Sequence, residues 1–165
     1  MAVESISLRA ACAQDQPFLE RLYRGSRAQE MSRSGWPLAQ IQGFLSQQFQ
    51  IQHAYYQEHY AGGEFFVIEH QSQPIGRLYV FVAKRTFHIV DIILLPSHQG
   101  QGIGTALLQA QLARADALNL PIELHVEHDN PVQTLYARLG FYQVADSGVY
   151  LKLRRDVGGC ARKAS

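Results

Sequence analysis

A glycine-rich turn between an apolar run and a long amphipathic segment is the feature that most constrains this 165-residue chain. The apolar run ends at Leu95, and the turn reads Gln-Gly-Gln-Gly-Ile-Gly-Thr over residues 99–105. Successive backbone N–H groups can converge on a phosphate where no Cβ blocks the approach. From Thr105 good helix formers continue without glycine or proline until Pro121, which predicts a helix that begins at the turn. Its unpaired N-terminal amides and its dipole would favour a phosphate or pyrophosphate.

The glycine spacing excludes two common phosphate motifs. The dinucleotide fingerprint needs Gly-x-Gly-x-x-Gly, but counting from Gly100 puts Thr105 at the last position, and counting from Gly102 puts Leu107 there. A nucleotide P-loop needs Gly-Lys-Ser/Thr at the helix start, and residues 104–106 read Gly-Thr-Ala without a lysine. The turn therefore matches neither of these two phosphate-binding motifs.

The turn resembles the acyl-CoA-binding motif of the Gcn5-related N-acetyltransferase superfamily, Gln/Arg-x-x-Gly-x-Gly/Ala, at Gln99, Gly102 and Gly104. That family places the motif after a strand that ends in a Val/Leu-x-Pro corner, here residues 94–96. A second family motif has asparagine, then Leu-Tyr, then Gly-Phe, and residues 130–141 read NPVQTLYARLGF. The two motifs stand in the right order and separation. The resemblance is close over about residues 75 to 153 and architectural before that.

The resemblance implies an α/β (α+β) fold with a mixed, mostly antiparallel sheet, a β-meander, a central β-α-β acyl-CoA-binding unit and flanking helices. The periodicity agrees, because three β-rich runs joined by short polar turns precede the glycine turn. We expect one acetyltransferase domain over residues 1–154 and a frayed polar tail over residues 155–165. The predicted strands are Ile6–Ala10, Phe65–Glu69, Ile75–Ala83, Phe87–Leu95, Pro121–Glu127 and two within Phe141–Arg154, and the predicted helices are Phe18–Arg27, Leu38–His59, one from Thr105 and Val132–Leu139.

Helical spacing predicts which faces of these helices are buried, and a capping residue marks where the first one starts. Asp15 is predicted to cap the first helix. In the helix after the turn, one face consists of Leu108, Leu112, Ala115 and Leu118. In the helix Leu38–His59, we expect a stripe of residues at helical spacing to pack in the core, with polar residues on its rim. This stripe consists of Phe44, Leu45, Gln48, Ile51, Gln52 and Tyr55.

Composition and charge argue against several other classes of protein. The formal net charge of +1 gives no general electrostatic reason to expect nucleic acid or an anionic membrane as a partner. The seven histidines are scattered without the spacing of a metal site, so no metal is expected. Cys12 and Cys160 lie near opposite ends and are expected to be unpaired thiols. No apolar run approaches the roughly 20 residues of a membrane helix, and the first residues do not resemble a signal peptide, so the expected location is the cytoplasm.

The resemblance implies acetyl-CoA as the co-substrate. In the family the strand before the turn and the strand after the central helix splay apart, and the pantetheine arm lies in the gap. The backbone edge of residues 93–95 would bind the pantetheine amides and the thioester carbonyl, as in strand addition, while the side chains pack as in any buried strand. The residues expected to bind the cofactor are Ile93, Leu94, Leu95, Gln99, Gly100, Gln101, Gly102, Ile103, Gly104, Thr105, Asn130 and Tyr136.

Acetyl transfer to an amine requires a deprotonated nucleophile, a polarised thioester and a proton for the departing thiolate. By resemblance, Tyr136 of the Leu-Tyr pair donates that proton, and its alternative role is that of a core aromatic residue. Asn130 occupies the position whose side chain contacts the cofactor arm in the family. It would also cap the helix that starts at Pro131, because asparagine before proline favours a helix start.

Two residues are candidates for the catalytic base. In relatives that acetylate protein N-termini, a Leu-Glu-Val pattern supplies a glutamate base, and here His125 stands in that place. An unperturbed histidine pKa of about 6.5 leaves it mostly neutral near neutral pH, and the alternative is a half-buried histidine hydrogen-bonded across the strands. Asp91 competes as the one charge in its strand, where a carboxylate must be paired or functional. Glu123 and Glu127 flank His125 and would orient it or bind a cationic substrate, and ordered water is a further route for the proton.

The sequence thus predicts an acetyltransferase that uses acetyl-CoA and a primary amine by direct attack in a ternary complex. The expected acceptor is the amine of a small molecule, an amino acid, a peptide or a protein. The sequence does not decide the oligomeric state, and a homodimer is one of the options. The opposing class is a non-catalytic acyl-CoA sensor. A dinucleotide-dependent oxidoreductase with Glu127 as its ribose ligand is disfavoured by the glycine spacing and by the meander before the turn. Five residues would suit either the binding cleft for the amine acceptor or ordinary side-chain packing. They are Glu30, Trp36, Tyr55, Tyr56 and Tyr60.

Overall fold

The computed structural model describes residues 5–159, and the ends of the chain fall outside the described residues. Within that range the chain forms seven strands and four α-helices. The strands are β1 (Ile6–Ala10), β2 (Glu64–His70), β3 (Gln73–Val82), β4 (Phe87–Leu94), β5 (Ile122–Glu127), β6 (Tyr142–Asp146) and β7 (Tyr150–Arg155). The helices are α1 (Gln16–Met31), α2 (Leu38–His59), α3 (Ile103–Ala117) and α4 (Gln133–Arg138).

The seven strands form one open, mostly antiparallel sheet in the order β1-β2-β3-β4-β5-β7-β6. β1 runs antiparallel to β2, with Ile6 opposite His70 and Ala10 opposite Phe66. β4 and β5 are parallel, and β7 lies antiparallel between β5 and β6. The fold is therefore the mixed α/β architecture that the sequence predicts, with a meander followed by a β-α-β unit.

Short turns join the strands of the meander. Gln71 and Ser72, between β2 and β3, have left-handed φ values of 50° and 64°. Two consecutive left-handed residues match the twist of the flanking strands in a two-residue hairpin turn. Between β3 and β4 the N–H of Ala83 donates to the carbonyl of Thr86 at 2.9 Å. Both turns lie where the polar residues of the sequence predict them.

The chain divides into two compact units. The N-terminal unit comprises Met1–Tyr79 and Asp91–Gly104, and the C-terminal unit comprises Val80–Val90 and Thr105–Ser165. As a result β3, β4 and α3 each begin in one unit and end in the other. Each unit has buried apolar residues of its own.

The core of the N-terminal unit is formed by α1, α2 and β2. Its buried residues are Leu19, Tyr23, Ile41, Leu45, Phe49 and Val67. The predicted α2 stripe is wrong at Ile51 and Tyr55, which are 55% and 48% exposed. Successive residues of an α-helix are rotated by about 100° around its axis. Ile51 comes six residues after Leu45, so its side chain lies on a different side of the helix from that of Leu45.

The core of the C-terminal unit is formed mainly by α3, β5 and β7. Its buried residues include Leu107, Leu108, Leu112, Ala115, Ile122, Leu124, Val126, Leu151 and Leu153. The prediction for Leu118 is wrong, because α3 ends at Ala117 and Leu118 is 49% exposed. At the other end α3 begins at Ile103, two residues before the predicted start at Thr105.

Asp15 fixes the start of α1 through contacts other than the predicted cap. Its side chain makes no capping hydrogen bond to α1. Instead the carboxylate accepts the N–H of Cys12 at 2.8 Å and two guanidinium N–H groups of Arg9, each at 2.8 Å. The hydrogen bond from Arg9 holds the pKa of this carboxyl well below its usual range. Asp15 thus ties the end of β1 to the start of α1.

Three expectations about the whole chain can be compared with the described residues. Cys12 is an exposed, unpaired thiol, and Cys160 lies outside the described residues. Between residues 5 and 159, no helix is both long and apolar enough to cross a bilayer. The predicted tail starts in regular structure, because Arg155 belongs to β7 and its Nη1 lies 2.9 Å from Oδ1 of Asp116.

We expect Asp15→Asn to lower the free energy of unfolding at pH 7 by about 1–2 kcal/mol, since it removes charge-assisted hydrogen bonds to a partly exposed arginine. The folded-state pKa of Asp15 is depressed, so this stabilisation is present above the unfolded pKa of 3.8 and is lost as the pH falls towards the folded pKa. Urea unfolding from pH 7 to pH 3 should therefore show the two proteins converging. Asp129→Asn, at an exposed position, is the control. A pH-independent difference would contradict this assignment.

Candidate active site

The glycine turn between β4 and α3 is open on one side. Gly100 and Gly102 have left-handed φ values of 73° and 82°, which residues with a Cβ rarely adopt. A Cβ at either position would meet no described atom within 4 Å, so the backbone there borders open space. α3 begins at Ile103, and the first N–H groups of a helix lack intrahelical acceptors. The turn therefore presents backbone donors and the positive end of a helix to a ligand, as an anion cradle requires.

Two glutamine side chains brace this turn. The amide of Gln99 donates to the carbonyl of Leu94 at 2.9 Å, and the amide of Gln101 donates to the carbonyl of Ser97 at 2.8 Å. Both residues were predicted to bind the cofactor. In the structure their side chains hold the turn in shape, so the cofactor binding predicted for these residues would use their backbone groups.

The end of β4 approaches β3 closely. The N–H of Leu95 donates to the carbonyl of Ile75 at 2.8 Å. A Cβ on Gly76 would lie 2.3 Å from the carbonyl oxygen of Ile93, so this approach requires glycine. Because backbone groups alternate along a strand, those of Ile93 and Leu95 are directed to β3 and those of Leu94 to the opposite side. Among these three residues, Leu94 is therefore the one whose backbone is directed away from β3, and its carbonyl accepts the amide of Gln99.

Asp91 lies on the same strand and is ion-paired. Arg77 of β3 donates from Nε to Oδ2 of Asp91 at 2.8 Å and from Nη2 to the same oxygen. The Nη2 of Arg77 also donates to Oε1 of Gln52 on α2 at 2.9 Å. The side chain of Arg77 is 1% exposed and that of Asp91 is 22% exposed. Burial by itself would lower the pKa of Arg77, but the charge and hydrogen bond of Asp91 together with the neighbouring phenols of Tyr79 and Tyr56 outweigh burial and raise it.

His125 lies on β5 in a group of charged residues. It stands opposite Lys152 of β7, and Glu123 stands opposite Arg154. Glu123 is buried, with its Oε2 at 3.5 Å from Nζ of Lys152 and 3.7 Å from Nη1 of Arg154. Partial loss of hydration and the charge of Lys152 lower the pKa of His125, while Glu123 acts in the opposite direction. His125 is therefore neutral at pH 7 and able to accept a proton.

Tyr136 and Asn130 belong to α4 and the loop before it. Tyr136 is buried, and its ring centroid lies 5.5 Å from that of Phe141. Asn130 is exposed, and its Oδ1 accepts the N–H of Val132 at 3.0 Å, which closes a turn before α4. Gln133 braces the same loop by donating to the carbonyl of Glu127 at 3.0 Å. The predicted capping role of Asn130 is wrong, because α4 begins at Gln133 and Val132, without a side-chain cap, occupies the N-cap position.

Sequence reasoning missed three residues around these candidates. Arg77 is the one charge in the apolar run of β3, the same signal that drew attention to Asp91. Gly76 is a glycine inside a strand, which marks a close backbone approach. His88 pairs with Glu123 across β4 and β5, and burial lowers its pKa.

Residues 29–141 match the model of the acetyltransferase (GNAT) family, and the chain belongs to this family of acetyltransferases. No curated protein sequence matches the chain.

Solved structures of the same fold come from bacteria and archaea. The PaiA N-acetyltransferase of Thermoplasma acidophilum in complex with coenzyme A has a TM-score of 0.70 at 18% identity, covering 92% of this chain and 99% of that one. The Vibrio cholerae spermidine N-acetyltransferase with CoA and spermine has a TM-score of 0.65 at 22% identity, covering 94% and 98%. The Escherichia coli ribosomal-protein-S18-alanine N-acetyltransferase has a TM-score of 0.65 at 14% identity, covering 97% and 99%.

Acetyl-CoA is the co-substrate of enzymes in this family, and two of these neighbours contain coenzyme A. The turn fits a phosphate of this molecule, because Gly100 and Gly102 border open space and α3 starts directly after them. The backbone of residues 100–104 would hold the phosphate, and the outward backbone of Leu94 would bind the pantetheine arm. Family membership also rules out the dinucleotide-dependent oxidoreductase.

We expect Gly76→Ala to raise the Kd for acetyl-CoA at least about tenfold and to destabilise the fold by about 1–3 kcal/mol. The added Cβ would push the carbonyl of Ile93 away and displace the edge at Leu94. Gly43→Ala on α2 is the matched control, because a Cβ there meets no described atom within 4 Å. The control should keep the wild-type Kd and gain about 0.5–1 kcal/mol. Calorimetric titration with chemical unfolding measures both, and a wild-type Kd for Gly76→Ala would refute the role of this approach.

Proposed function

We propose that this acetyltransferase is an N-acetyltransferase that transfers the acetyl group of acetyl-CoA to a primary amine by direct attack in a ternary complex. The observation that carries the proposal is the cradle at Gly100 and Gly102, open at the start of α3. Amine acceptors appear in the names of two structural neighbours, one acting on spermidine and one on an alanine of ribosomal protein S18. Acceptors to consider are therefore small amines, amino acids and peptide or protein amines.

Tyr136 is the proposed acid that protonates the departing thiolate. Its ring is buried beside Phe141, and a phenol donates a proton without carrying charge in the resting state. Its placement on α4, within the Leu-Tyr motif, supports this assignment. The competing role is packing alone, and the two roles differ in their effect on turnover.

His125 is the proposed base, and Asp91 is the alternative. The lowered pKa of His125 keeps an acceptor nitrogen available at pH 7, which a base for an ammonium acceptor needs. Asp91 already accepts two hydrogen bonds from Arg77 at Oδ2, so this oxygen is engaged in the ion pair. Transfer through ordered water would need neither residue in direct contact with the amine.

A non-catalytic acyl-CoA sensor would keep the cradle without needing an acid or a base. Wild-type protein that binds acetyl-CoA but releases no thiol with any amine would support the sensor. Titration with acetyl-CoA, coenzyme A, NAD and ATP decides the donor first, and binding of NAD or ATP in preference to acetyl-CoA would overturn the proposal.

Tyr136→Phe should lower kcat by at least about 100-fold and leave the Kd for acetyl-CoA unchanged, because it removes only the proton donor. Tyr142→Phe is the matched control in the same unit, since the hydroxyl of Tyr142 on β6 donates to Asp156, just after β7, at 2.9 Å. Thiol release and calorimetry give the two readouts. Full turnover by Tyr136→Phe would remove this residue as the acid.

The acid limb of the kcat/KM profile tests His125. A base with a lowered pKa is protonated only below pH 6.5, so wild-type activity should fall below that value. His125→Gln should lose this limb, and Lys152→Met should move it to higher pH, because Lys152 lowers the pKa of His125. His128→Gln, at an exposed position, is the control. One amine is used throughout, so its own ionisation cancels in the ratio of variant to wild-type kcat/KM, and a ratio for His125→Gln that does not change with pH would contradict His125 as the base.

A further inference from the structure

A cavity of about 290 Å³ lies in the N-terminal unit, where the start of α1 and the C-terminal half of α2 meet β2 and β3. Its volume suits a small organic group. None of its lining residues has been assigned to acetyl-CoA or to proton transfer. The side chains that give the cavity its chemistry are Gln16, His53, Tyr56, Gln57, Phe65 and Tyr79.

Three aromatic rings form one wall of this cavity. The rings of Phe65 and Tyr79 are perpendicular, with centroids 4.9 Å apart, and those of Tyr56 and Tyr79 meet at 83° with centroids 5.9 Å apart. Edge-to-face packing of this kind presents both ring faces and ring edges to a further flat group. The wall therefore favours an aromatic or compact apolar body.

The polar groups of the cavity carry no charge near neutral pH. Burial and the charge of Arg77 lower the pKa of His53, whose Nε2 lies 2.8 Å from Nε2 of Gln16. Burial raises the pKa of Tyr79, which stays a neutral phenol. Within the described chain, no carboxylate lines the cavity.

The charges beside the cavity are already compensated. Asp15, next to Gln16, is ion-paired with Arg9 at 2.8 Å. Arg77 is ion-paired with Asp91. A second or third ammonium group entering this cavity would lose its hydration without gaining a counter-charge, which is costly. The cavity therefore disfavours a polyamine.

The cavity adjoins the ion pair on β4. The guanidinium carbon of Arg77 lies 4.8 Å from the ring centroid of Tyr79. Gln52, which precedes His53, accepts a hydrogen bond from the same guanidinium at 2.9 Å. Tyr79 thus lines the cavity and also packs against the guanidinium of Arg77, which places the cavity beside the ion pair.

We propose that this cavity, the acceptor cavity, holds the uncharged aromatic body of a primary monoamine, so that the enzyme selects arylalkylamines over polyamines. The inference rests on the proposed function, because it names the acceptor of the same reaction. The ring occupies the acceptor cavity, and the single ammonium group stays outside its uncharged lining.

Thiol release by the full-length protein tests the selection with three amines. Phenethylamine has an aromatic body, butylamine has one amine and no ring, and spermidine has several amines. The expected kcat/KM for phenethylamine exceeds that of each of the others by at least about tenfold. A preference for spermidine, or equal values for phenethylamine and butylamine, would overturn the proposal.

Gln57→Glu is the sharpest variant, because it places a carboxylate at the cavity wall without changing side-chain size. The ratio of kcat/KM for phenethylamine to that for spermidine should fall at least about tenfold. Gln50→Glu, exposed on the same helix and outside the cavity, is the matched control and should leave the ratio unchanged. An equal ratio in both variants would refute the role of the cavity.

A binding measurement separates this inference from the proposed function. Phenethylamine and spermidine are titrated calorimetrically into the protein saturated with coenzyme A. Ala13→Phe, at an exposed lining position, should fill the cavity and abolish phenethylamine binding with an unchanged Kd for coenzyme A. Acetyl-CoA binding without thiol release from any amine would overturn the proposed function and the acceptor role. In that case the titration alone would still show whether the cavity binds an aromatic amine. Wild-type protein that fails to bind phenethylamine would refute the assignment of the cavity to such a ligand.

Discussion

The ion pair of Arg77 and Asp91 is the interaction that joins the parts of the N-terminal unit. A guanidinium with 1% exposure loses nearly all of its hydration, which is costly unless charge and hydrogen bonds compensate. The compensation comes from Asp91 on β4, Gln52 on α2 and the ring of Tyr79 on β3. Removal of one partner from a buried ion pair typically costs about 3–5 kcal/mol. The strand that ends at the cofactor turn and the helix that lines the acceptor cavity therefore share one electrostatic constraint.

Most of the fold follows from local sequence signals. The bounds of β1 and α2 agree with those predicted, because apolar periodicity ends there at glycine, proline or polar residues. The predictions fail where a residue's burial depends on its angle around a helix. Ile51 is apolar but points away from the core, and Leu118 lies beyond the last residue of α3. Apolar character alone does not distinguish these cases.

In the candidate site, too, local sequence signals predict some features and fail to predict others. The shape of the glycine turn is local, so the glycines of residues 100–104 indicate from the sequence where the backbone adopts left-handed φ values, at Gly100 and Gly102. The partner of Asp91 is not local, because Arg77 is fourteen positions away in the chain and meets it only through the pairing of β3 with β4. The acceptor cavity is even less visible, since its lining comes from two helices and two strands. A lone charge in each apolar strand was the available signal, and pairing the two charges would have found the contact.

The two glutamine side chains make the turn rigid before any ligand arrives. Gln99 and Gln101 each close a ring of backbone by donating to a carbonyl four or five residues earlier, at Leu94 and Ser97. Fixing the backbone of one residue costs about 1–2 kcal/mol in conformational entropy. Here most of that ordering accompanies folding, so an anion that enters the cradle loses little chain entropy and can bind through modest, purely backbone contacts.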